Sequence, residues 1–279
     1  MSHKPTGSIA RSVDLIGDGD KGEEMDTSRH AGHTAVVTGA ASGIGQATAL
    51  RFAQEGALVI ACDVNEAGLD DTASQIKAAG GEAVPVRADI TQQADIDHIL
   101  EVAVGRGPVH SLANVAGIMD HFLPVGEVDD DTWERVMAVN LTAPFRLCRA
   151  FVGPLEASGA GSIVNVASIA GLIGLAAGTS YTTSKHAIIG LTRNVAAFYG
   201  PRGVRCNAVC PGGVATAIGA SSTPSSEWAW DRVQVGLTRG GESMAEPDHI
   251  ASVITWLASA EARNVNGAVL TADAGWTAL

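Results

Sequence analysis

The sequence predicts an α/β fold, a single-domain, doubly wound parallel sheet of about seven strands with helices on both faces. From His33 onward, short apolar runs alternate with stretches of helical periodicity, which is the pattern of parallel strands joined by crossover helices. The composition agrees, since 46% of residues are hydrophobic, only 4% are aromatic and 33 are glycine. The length of 279 residues suits one large domain.

Each strand is predicted from a short, mainly apolar run that ends at polar or glycine residues. In chain order these runs are TAVVTG (34–39), ALVIACD (57–63), EAVPVRAD (82–89), VHSLANVAG (109–117), GSIVNVAS (161–168), VRCNAVCPGG (204–213) and GAVLTADAG (267–275). The helical stretches between them are 43–55, 66–79, 92–104, 131–157, 181–199 and 247–258. Pro144 and Pro154 are expected to bend or end parts of the fourth helix.

The first 32 residues differ from the rest of the chain. They are polar and rich in glycine and aspartate without sustained periodicity, so we predict a flexible arm over 1–32 and a catalytic domain over 33–279. The segment DGDKGEE is similar to a calcium-binding loop, but Glu23 stands where such a loop needs glycine. A solvated tail is therefore the favoured interpretation.

The formal net charge of −12 argues against nucleic acid as a partner, because such a surface repels phosphate backbones. No apolar run approaches the ~18 residues of a membrane span, and we see no signal-peptide core. We therefore expect a cytoplasmic protein without a membrane partner.

The four cysteines lie in or beside apolar runs and lack metal-binding spacing, so we interpret them as reduced core residues. A metal bound by Cys206, Cys210 and a distant histidine is the alternative, and we expect no metal.

The first strand runs into the glycine-rich loop TGAASGIG, which leads directly into a helix. Gly39, Gly43 and Gly45 allow the backbone to approach a pyrophosphate, and the helix N-terminus favours its charge. With Ser42 and Ile44 between these glycines, the loop indicates a Rossmann-like dinucleotide site. Taken alone, a glycine turn between strand and helix is common and weak evidence.

The second strand ends at Asp63, close to the ~20-residue offset at which an acid binds the adenosine ribose. An aspartate there repels a 2′-phosphate, and no basic residue follows it, so the sequence favours NAD(H) over NADP(H). The alternative is an ordinary polar residue at a strand end. Asp89 and Ile90 close the third strand and could contact the adenine, although Asp89 could equally be a solvated turn residue.

Tyr181 precedes Lys185 by four residues on a predicted helix, so their side chains share a face. A nearby positive charge favours the phenolate, and we expect Lys185, together with an oxidised nicotinamide close by, to lower the pKa of Tyr181 from ~10 by about 2–3 units. The phenol would then act as a general acid or base. Most such pairs are a half-buried aromatic beside a solvated lysine, which is the alternative.

Other polar and small residues gather at the carboxyl edge of the predicted sheet, where ligands bind in open parallel sheets. Ser168 ends the fifth strand, and Asn140 lies mid-helix, where asparagine is disfavoured without a specific contact. The remaining candidates for cofactor contact follow the fourth and sixth strands: Asn114, Ala116, Gly117, Pro211, Gly212, Val214 and Thr216.

Together these motifs resemble the short-chain dehydrogenase/reductase family across residues 33–279. The resemblance implies a metal-free catalytic tetrad of Asn140, Ser168, Tyr181 and Lys185. Tyr181 would exchange a proton with the substrate oxygen that Ser168 orients. Lys185 would also contact the nicotinamide ribose, and Asn140 would support a water relay. The hydride chemistry would belong to the nicotinamide.

The substrate pocket is expected from mostly apolar segments after strands four, five and six, with a mobile lid over 212–241. Each residue could equally be ordinary packing, and His121 could be a surface residue. The candidates are Ile118, Met119, Phe122, Leu172, Ile173, Trp228 and Trp230. Surplus apolar surface on helices 131–157 and 181–199 suggests subunit contacts, and the resemblance points to a homotetramer, a dimer of dimers.

The favoured function is an NAD(H)-dependent oxidoreductase that interconverts a secondary alcohol and a ketone, with Tyr181 as general acid/base. A 3-oxoacyl carrier-protein reductase is the alternative, but Asp63 and the net charge of −12 argue against it. A non-catalytic dinucleotide-binding regulator is a further alternative, although such a protein would be expected to lose Tyr181 or Lys185.

Overall fold

Seven parallel strands form one sheet in the computed structural model, which describes residues 28–220, 223–237 and 244–278. The strand order β3-β2-β1-β4-β5-β6-β7 reverses direction between β1 and β4, as expected of a doubly wound sheet. The predicted fold class is therefore confirmed. The strands are β1 Thr34–Thr38, β2 Leu58–Asp63, β3 Glu82–Arg87, β4 Val109–Asn114, β5 Gly161–Val166, β6 Val204–Pro211 and β7 Val269–Ala272.

Helices cover both faces of the sheet, which is why the central strands are apolar on both sides. Within β1, Val37 packs with Phe52 and Ile254 on one face, and Val36 packs with Ile99 and Phe151 on the other. The described helices are α1 Gly43–Gln54, α2 Glu66–Ala78, α3 Gln93–Val104, α4 Asp130–Met137, α5 Ala143–Ala157, α6 Thr179–Tyr199, α7 Ala217–Ala220, α8 Glu227–Leu237 and α9 Pro247–Ala258. Among them, none has the length and apolar character to cross a bilayer.

The long helix predicted over 131–157 is divided by a π-helical segment, Ala138–Thr142. The N–H of Ala143 reaches back five residues to the Ala138 carbonyl, which widens the helix at Asn140. Pro144 is the second residue of α5, directly after this segment, and Pro154 lies inside α5, which continues to Ala157, so the helix ends at neither proline.

Residues just before the predicted domain also pack against it. His30 is fully buried, its ring is tilted by 60° against the Phe52 ring with 4.9 Å between centroids, and its main-chain N–H donates to the Glu55 carbonyl at 2.8 Å. Residues 28–32 form a turn, and through His30 this turn packs on α1, so the last residues of the predicted arm lie against the domain. Residues 1–27, including the calcium-like segment, lie outside the described residues, and their flexibility stays a prediction.

The predicted lid, 212–241, contains two helices that the sequence did not indicate, α7 and α8. Residues 221–222 and 238–243 of this stretch lie outside the described part. Helix α8 is held by tertiary contacts: Trp228 Nε1 donates to Glu127 Oε1 at 2.6 Å, and Trp230 meets Phe122 edge-on at 4.9 Å.

All four cysteines are free and buried, as predicted for core residues. Burial raises the pKa of the Cys148 thiol to about 12, so this side chain stays an uncharged core group. In the described residues no group of three or more histidine, cysteine or acidic side chains is arranged to hold a metal. The alternative of a metal bound by Cys206 and Cys210 therefore has no support from these residues.

Candidate active site

A cleft of about 410 Å³ opens at the carboxyl ends of the strands, beside the point where the strand order reverses. It brings together the glycine loop, the ends of β2 and β3, and the segments after β4, β5 and β6. Three of the four proposed catalytic residues line it, Ser168, Tyr181 and Lys185. The predicted cofactor contacts that line it are Gly39, Ser42, Gly43, Ile44, Gly45, Asp63, Asp89, Ile90, Ala116, Gly117, Pro211, Gly212, Val214 and Thr216.

The glycine loop is packed so closely that side chains would not fit. A Cβ on Gly39, whose φ is +72°, would lie 2.9 Å from Ala116 Cα, and one on Gly45 would lie 1.9 Å from the Gly39 carbonyl oxygen. The first N–H groups of α1 have no partner within the helix, and the Ser42 side chain does not cap them. The loop and helix start therefore fit a bound pyrophosphate.

Asp63 is fixed at the end of β2, beside this loop. Its Oδ2 accepts from the Ala41 N–H at 3.1 Å, and its Oδ1 accepts from the Asn65 N–H at 3.0 Å. Each carboxylate oxygen keeps acceptor capacity toward the cleft. Among the described residues that line the cleft, Lys185 is the one lysine or arginine, and it lies at the other end of the site from Asp63.

Asp89 also lines the cleft, but part of its acceptor capacity is used within its own turn. Its Oδ1 accepts from the Thr91 N–H at 2.9 Å and from the Thr91 hydroxyl at 2.7 Å. Asp89 is therefore both a turn residue, as in the alternative interpretation, and a residue that lines the cleft.

Asn114 is not among the residues that line the cleft, and its contact with a cofactor stays a prediction. Its side chain is buried in the sheet, where Nδ2 donates to Asn165 Oδ1 at 2.8 Å. The Asn165 amide in turn donates to the Thr192 hydroxyl at 2.9 Å. Asn114 therefore joins β4 to β5 and α6 in a polar chain, and the polar residue at the strand end has a structural role.

Tyr181 and Ser168 both line the cleft. Ser168 lies two residues after the end of β5, and its hydroxyl interacts with the Tyr181 phenol and lowers the pKa of that phenol. Ser168 Oγ also accepts from the Ala170 N–H at 3.1 Å, which fixes the side chain. The two hydroxyl groups form a pair that can hold one substrate oxygen between them.

The expected effect of Lys185 on Tyr181 is not found among the protein's own groups. Burial raises the pKa of Tyr181 to about 12, and the nearby Asp120 and Cys210 add to this increase. The Lys185 ammonium lies over the ring, 5.3 Å from its centroid, and donates to the Val166 carbonyl at 2.8 Å. It therefore contacts the ring face and does not hydrogen-bond the phenol oxygen.

Lys185 is itself easily deprotonated. The side chain is almost fully buried, and burial lowers its pKa to about 8. A buried ammonium with such a pKa can lose or gain a proton near neutral pH. Lys185 is thus suited to take part in proton movement behind the phenol.

Asn140 lies behind the cleft wall, and its amide binds the loop after β4 and helix α6. Its Oδ1 accepts from the Ile118 N–H at 2.9 Å, and its Nδ2 donates to the Ile118 carbonyl at 2.9 Å and to the Ser184 hydroxyl at 3.3 Å. This explains an asparagine in mid-helix. A Cβ on Gly117 would lie 3.4 Å from Asn140 Oδ1 and 3.5 Å from Lys185 Nζ, so the Gly117 backbone lies next to both side chains.

The predicted substrate residues separate into two groups. Ile118 lines the cleft, and Phe122 and Trp230 line an adjoining cavity beside Thr216. Met119, Leu172, Ile173 and Trp228 are not among the residues that line either space, and Trp228 is 60% exposed. His121 borders the lid, since its carbonyl accepts from the Ser225 N–H at 3.2 Å.

One important residue of the site was not identified from the sequence. Asp120 is fully buried, and its Oδ2 accepts from the main-chain N–H of Tyr181 at 2.9 Å. Nothing in the linear sequence indicates this contact, because its partners lie about sixty residues away on α6. The close approach of the Asp120 carboxylate to Gly178 likewise depends on the folded structure.

The model of the family described as short chain dehydrogenase matches residues 33–227, more than two-thirds of the chain. The chain belongs to this family. The predicted family is thereby confirmed, and with it an oxidoreductase of a family that binds NAD(P).

Similar proteins indicate the range of chemistry in this part of the family. The chain is 39% identical over 260 residues to 3β-hydroxysteroid dehydrogenase 2 of Eggerthella lenta, covering 91% of this chain and 100% of the relative. It is 38% identical over 250 residues to cis-4-hydroxycyclohexanecarboxylate dehydrogenase of Sinomonas cyclohexanicum, covering 89% and 98%.

A solved structure from Beutenbergia cavernae is also similar, with a TM-score of 0.81 and 36% identity, covering 91% of this chain and 100% of that one. It is assigned as an NAD(P)-dependent gluconate 5-dehydrogenase and contains NADP at low occupancy.

Proposed function

We propose that this short-chain dehydrogenase interconverts a secondary alcohol and a ketone with NAD(H), and that Tyr181 is its general acid/base. The observation that carries the proposal is the meeting of Tyr181, Ser168 and Lys185 in the cleft that begins at the glycine loop and Asp63. A dinucleotide held along the loop would extend toward these three side chains, as in other open parallel sheets that bind ligands at the strand-order reversal.

The proposed roles follow from the contacts. Ser168 and Tyr181 hold the substrate oxygen, and the phenol accepts its proton in oxidation or donates one in reduction. An oxidised nicotinamide, when bound, supplies the hydride acceptor and a positive charge. That charge would oppose the burial that raises the pKa of Tyr181 to about 12. Lys185 and the space beside Gly117 and Asn140 offer a path for the proton.

NAD(H) is proposed over NADP(H) because of the charges around the ribose end of the cleft. Asp63 and Asp89 are the charged residues there, and the lining carries no lysine or arginine near them in the described part of the chain. A 2′-phosphate beside Asp63 would meet an uncompensated carboxylate. The NADP in the Beutenbergia cavernae structure makes a direct comparison of the two cofactors necessary.

A hydroxyl group on a saturated ring is the proposed substrate class. Two relatives that cover most of the chain act, by their names, on a 3β-hydroxysteroid and on cis-4-hydroxycyclohexanecarboxylate, both of which carry the alcohol on a ring. In this chain Ile118, Phe122 and Trp230 provide apolar surface near the cleft. Such surface suits a compact ring better than a polyol.

A screen of NAD⁺ reduction followed by absorbance tests this proposal. The panel contains hydroxysteroids, substituted cyclohexanols, sugar alcohols, hydroxy acids and open-chain secondary alcohols, each tested with NAD⁺ and NADP⁺. We expect turnover with ring alcohols and NAD⁺. Turnover confined to open-chain or polyol substrates would contradict the substrate class, and no turnover with any alcohol would contradict the proposed function.

We also propose that the protein acts in the cytoplasm as a homotetramer. Large apolar side chains stay exposed on the helices that we expect at the interface, with Phe145 of α5 45% exposed and Phe198 of α6 69% exposed. Light scattering after size-exclusion chromatography should give four times the 28.4 kDa chain mass. A monomer would contradict the assembly.

A further inference from the structure

A buried carboxylate holds the start of the helix that carries Tyr181. Helix α6 begins after Gly178, which has no side chain with which to cap it. Asp120, from the loop after β4, takes that place, since its Oδ2 accepts from the Tyr181 N–H at 2.9 Å. Tyr181 is the third residue of the helix, the position whose N–H a capping side chain normally binds.

Further hydrogen bonds hold Asp120 within its loop and join that loop to the start of α6. Asp120 Oδ1 accepts from the Phe122 N–H at 3.2 Å, and the Leu123 carbonyl accepts from the Thr179 N–H at 2.8 Å. A Cβ on Gly178 would lie 2.5 Å from Asp120 Oδ1 and 2.5 Å from the Leu123 nitrogen. Only glycine allows the loop and the helix to approach this closely.

The loop reaches its position through an uncommon backbone. His121 and Phe122 have φ of 56° and 60°, the left-handed region that non-glycine residues rarely adopt. This turn directs Phe122 toward Trp230 of α8. The same short loop therefore contacts both the Tyr181 helix and the predicted lid.

Asp120 is fully buried and makes no ion pair in the part of the chain that the structure describes. Burial raises the pKa of Asp120, and the main-chain N–H donors, those of Tyr181 and Phe122 among them, partly oppose this increase.

We propose that Asp120 is a positioning residue for Tyr181: it fixes the first turn of α6 against the loop after β4, and its charge disfavours the tyrosinate. The catalytic meaning of this role rests on the proposed function, but the effect on the phenol does not. Negative charge near a phenol makes its ionisation harder. The enzyme thereby keeps Tyr181 protonated until a positive charge is placed in the cleft.

The other charged or titratable groups that face the Tyr181 phenol are few. Lys185 lies on its own helix, and Cys210 approaches from β6. Asp273, near the C-terminus, acts on Cys210. Ser168 adds a neutral hydrogen bond from the segment after β5.

Two tyrosines in the chain make the test direct. In a Tyr199→Phe background, near-ultraviolet tyrosinate absorbance reports Tyr181 alone. We compare the phenolate fraction with and without Asp120→Asn, at a fixed alkaline pH where circular dichroism shows the native fold. The fraction should rise about threefold or more, the change that half a pKa unit produces. Equal fractions would overturn the proposal.

Two further variants separate this role from general destabilisation. Asp129→Asn removes an exposed carboxylate that caps α4 through the Thr132 N–H at 2.6 Å and does not face Tyr181, so it should leave the phenolate fraction unchanged. An equal rise in that variant would overturn the proposal. If Asp120→Asn does not fold, Gly178→Ala displaces the carboxylate and should raise the fraction in the same direction, and no rise would overturn it.

Activity provides a separate readout. With an alcohol found in the screen, the pH at which kcat/KM for oxidation reaches half its maximum should be lower for Asp120→Asn than for the parent. A lower kcat with an unshifted profile would reduce Asp120 to a structural residue and overturn its electrostatic role. Absence of any turnover in the parent would contradict the proposed function and leave the titration result standing.

Discussion

Single residues determine which cofactor and which proton transfer the cleft can support. Two opposing effects act on the pKa of Tyr181: burial and Asp120 raise it, whereas the neighbouring Ser168 hydroxyl lowers it. The spacing of Tyr181 and Lys185 predicted that they would meet, and they do, at 5.3 Å from ammonium to ring centroid. The direction of the pKa shift was not predictable, because helical spacing carries no information about burial or about a carboxylate from a distant loop.

Asp63→Ala tests the basis of cofactor choice. We expect the ratio of kcat/KM for NAD⁺ over NADP⁺ to fall at least about tenfold, since a hydrogen bond to a charged group contributes about 1.5–3 kcal/mol and each ~1.4 kcal/mol is a factor of ten. Initial rates with both cofactors measure it. Asp89→Ala is the matched comparison, because Asp89 is partly bound to Thr91 and should change the ratio less. An unchanged ratio in Asp63→Ala would place discrimination elsewhere.

Whole elements were predictable where the hydrophobic period is strong. All seven strands and the helices equivalent to α1, α2, α3, α6 and α9 appear close to their expected limits. The π-helical segment and α8 were not predictable, because each depends on tertiary contacts. The first is widened where Asn140 binds Ile118, and the second is held by Trp228 and Glu127.

Asn140→Ala tests the importance of the π-helical segment. The change removes two hydrogen bonds at 2.9 Å to the Ile118 N–H and carbonyl, and a third at 3.3 Å to the Ser184 hydroxyl. We expect the free energy of unfolding to fall by about 2 kcal/mol, the usual cost of unsatisfied buried groups. Urea denaturation measures it. Asn194→Ala, at an exposed position of α6, is the control and should change stability by less than about 0.5 kcal/mol. An equal loss of stability in the two variants would contradict the stabilising role of the Asn140 hydrogen bonds in the π-helical segment.

At the scale of the whole molecule, the end of the sheet opposite the cleft carries a cluster of histidines. His33 and His110 stack with ring centroids 4.2 Å apart, and His30 lies beside them at 5.8 Å from His33. His30 is also 3.6 Å from the buried carboxylate of Glu55, which Arg51 contacts at 2.6 Å. Burial lowers the pKa of all three histidines below the ordinary value of 6.5.

This cluster predicts lower stability in mild acid. The folded protein keeps these histidines neutral, whereas the unfolded chain protonates them, so their contribution is present above pH 6.5 and decreases as the pH falls below it. Each can contribute at most ~1.4 kcal/mol per pH unit. Urea denaturation on both sides of that pH should show the decrease. The double variant His33→Gln/His110→Gln should show a smaller decrease in the free energy of unfolding. The control His186→Gln, at an exposed position, should show the same decrease as the parent. A pH-independent free energy of unfolding would contradict the prediction.

The central claim is that Tyr181 transfers the proton in a dinucleotide cleft, and Tyr181→Phe tests it most directly. The measurement is the rate of NAD⁺ reduction in a single turnover, paired with NADH binding followed by fluorescence. We predict a rate reduced by at least about a thousandfold, since the acid/base group is lost, with NADH affinity within about threefold of the parent. A variant that binds NADH and reduces NAD⁺ at the parental rate would contradict the account.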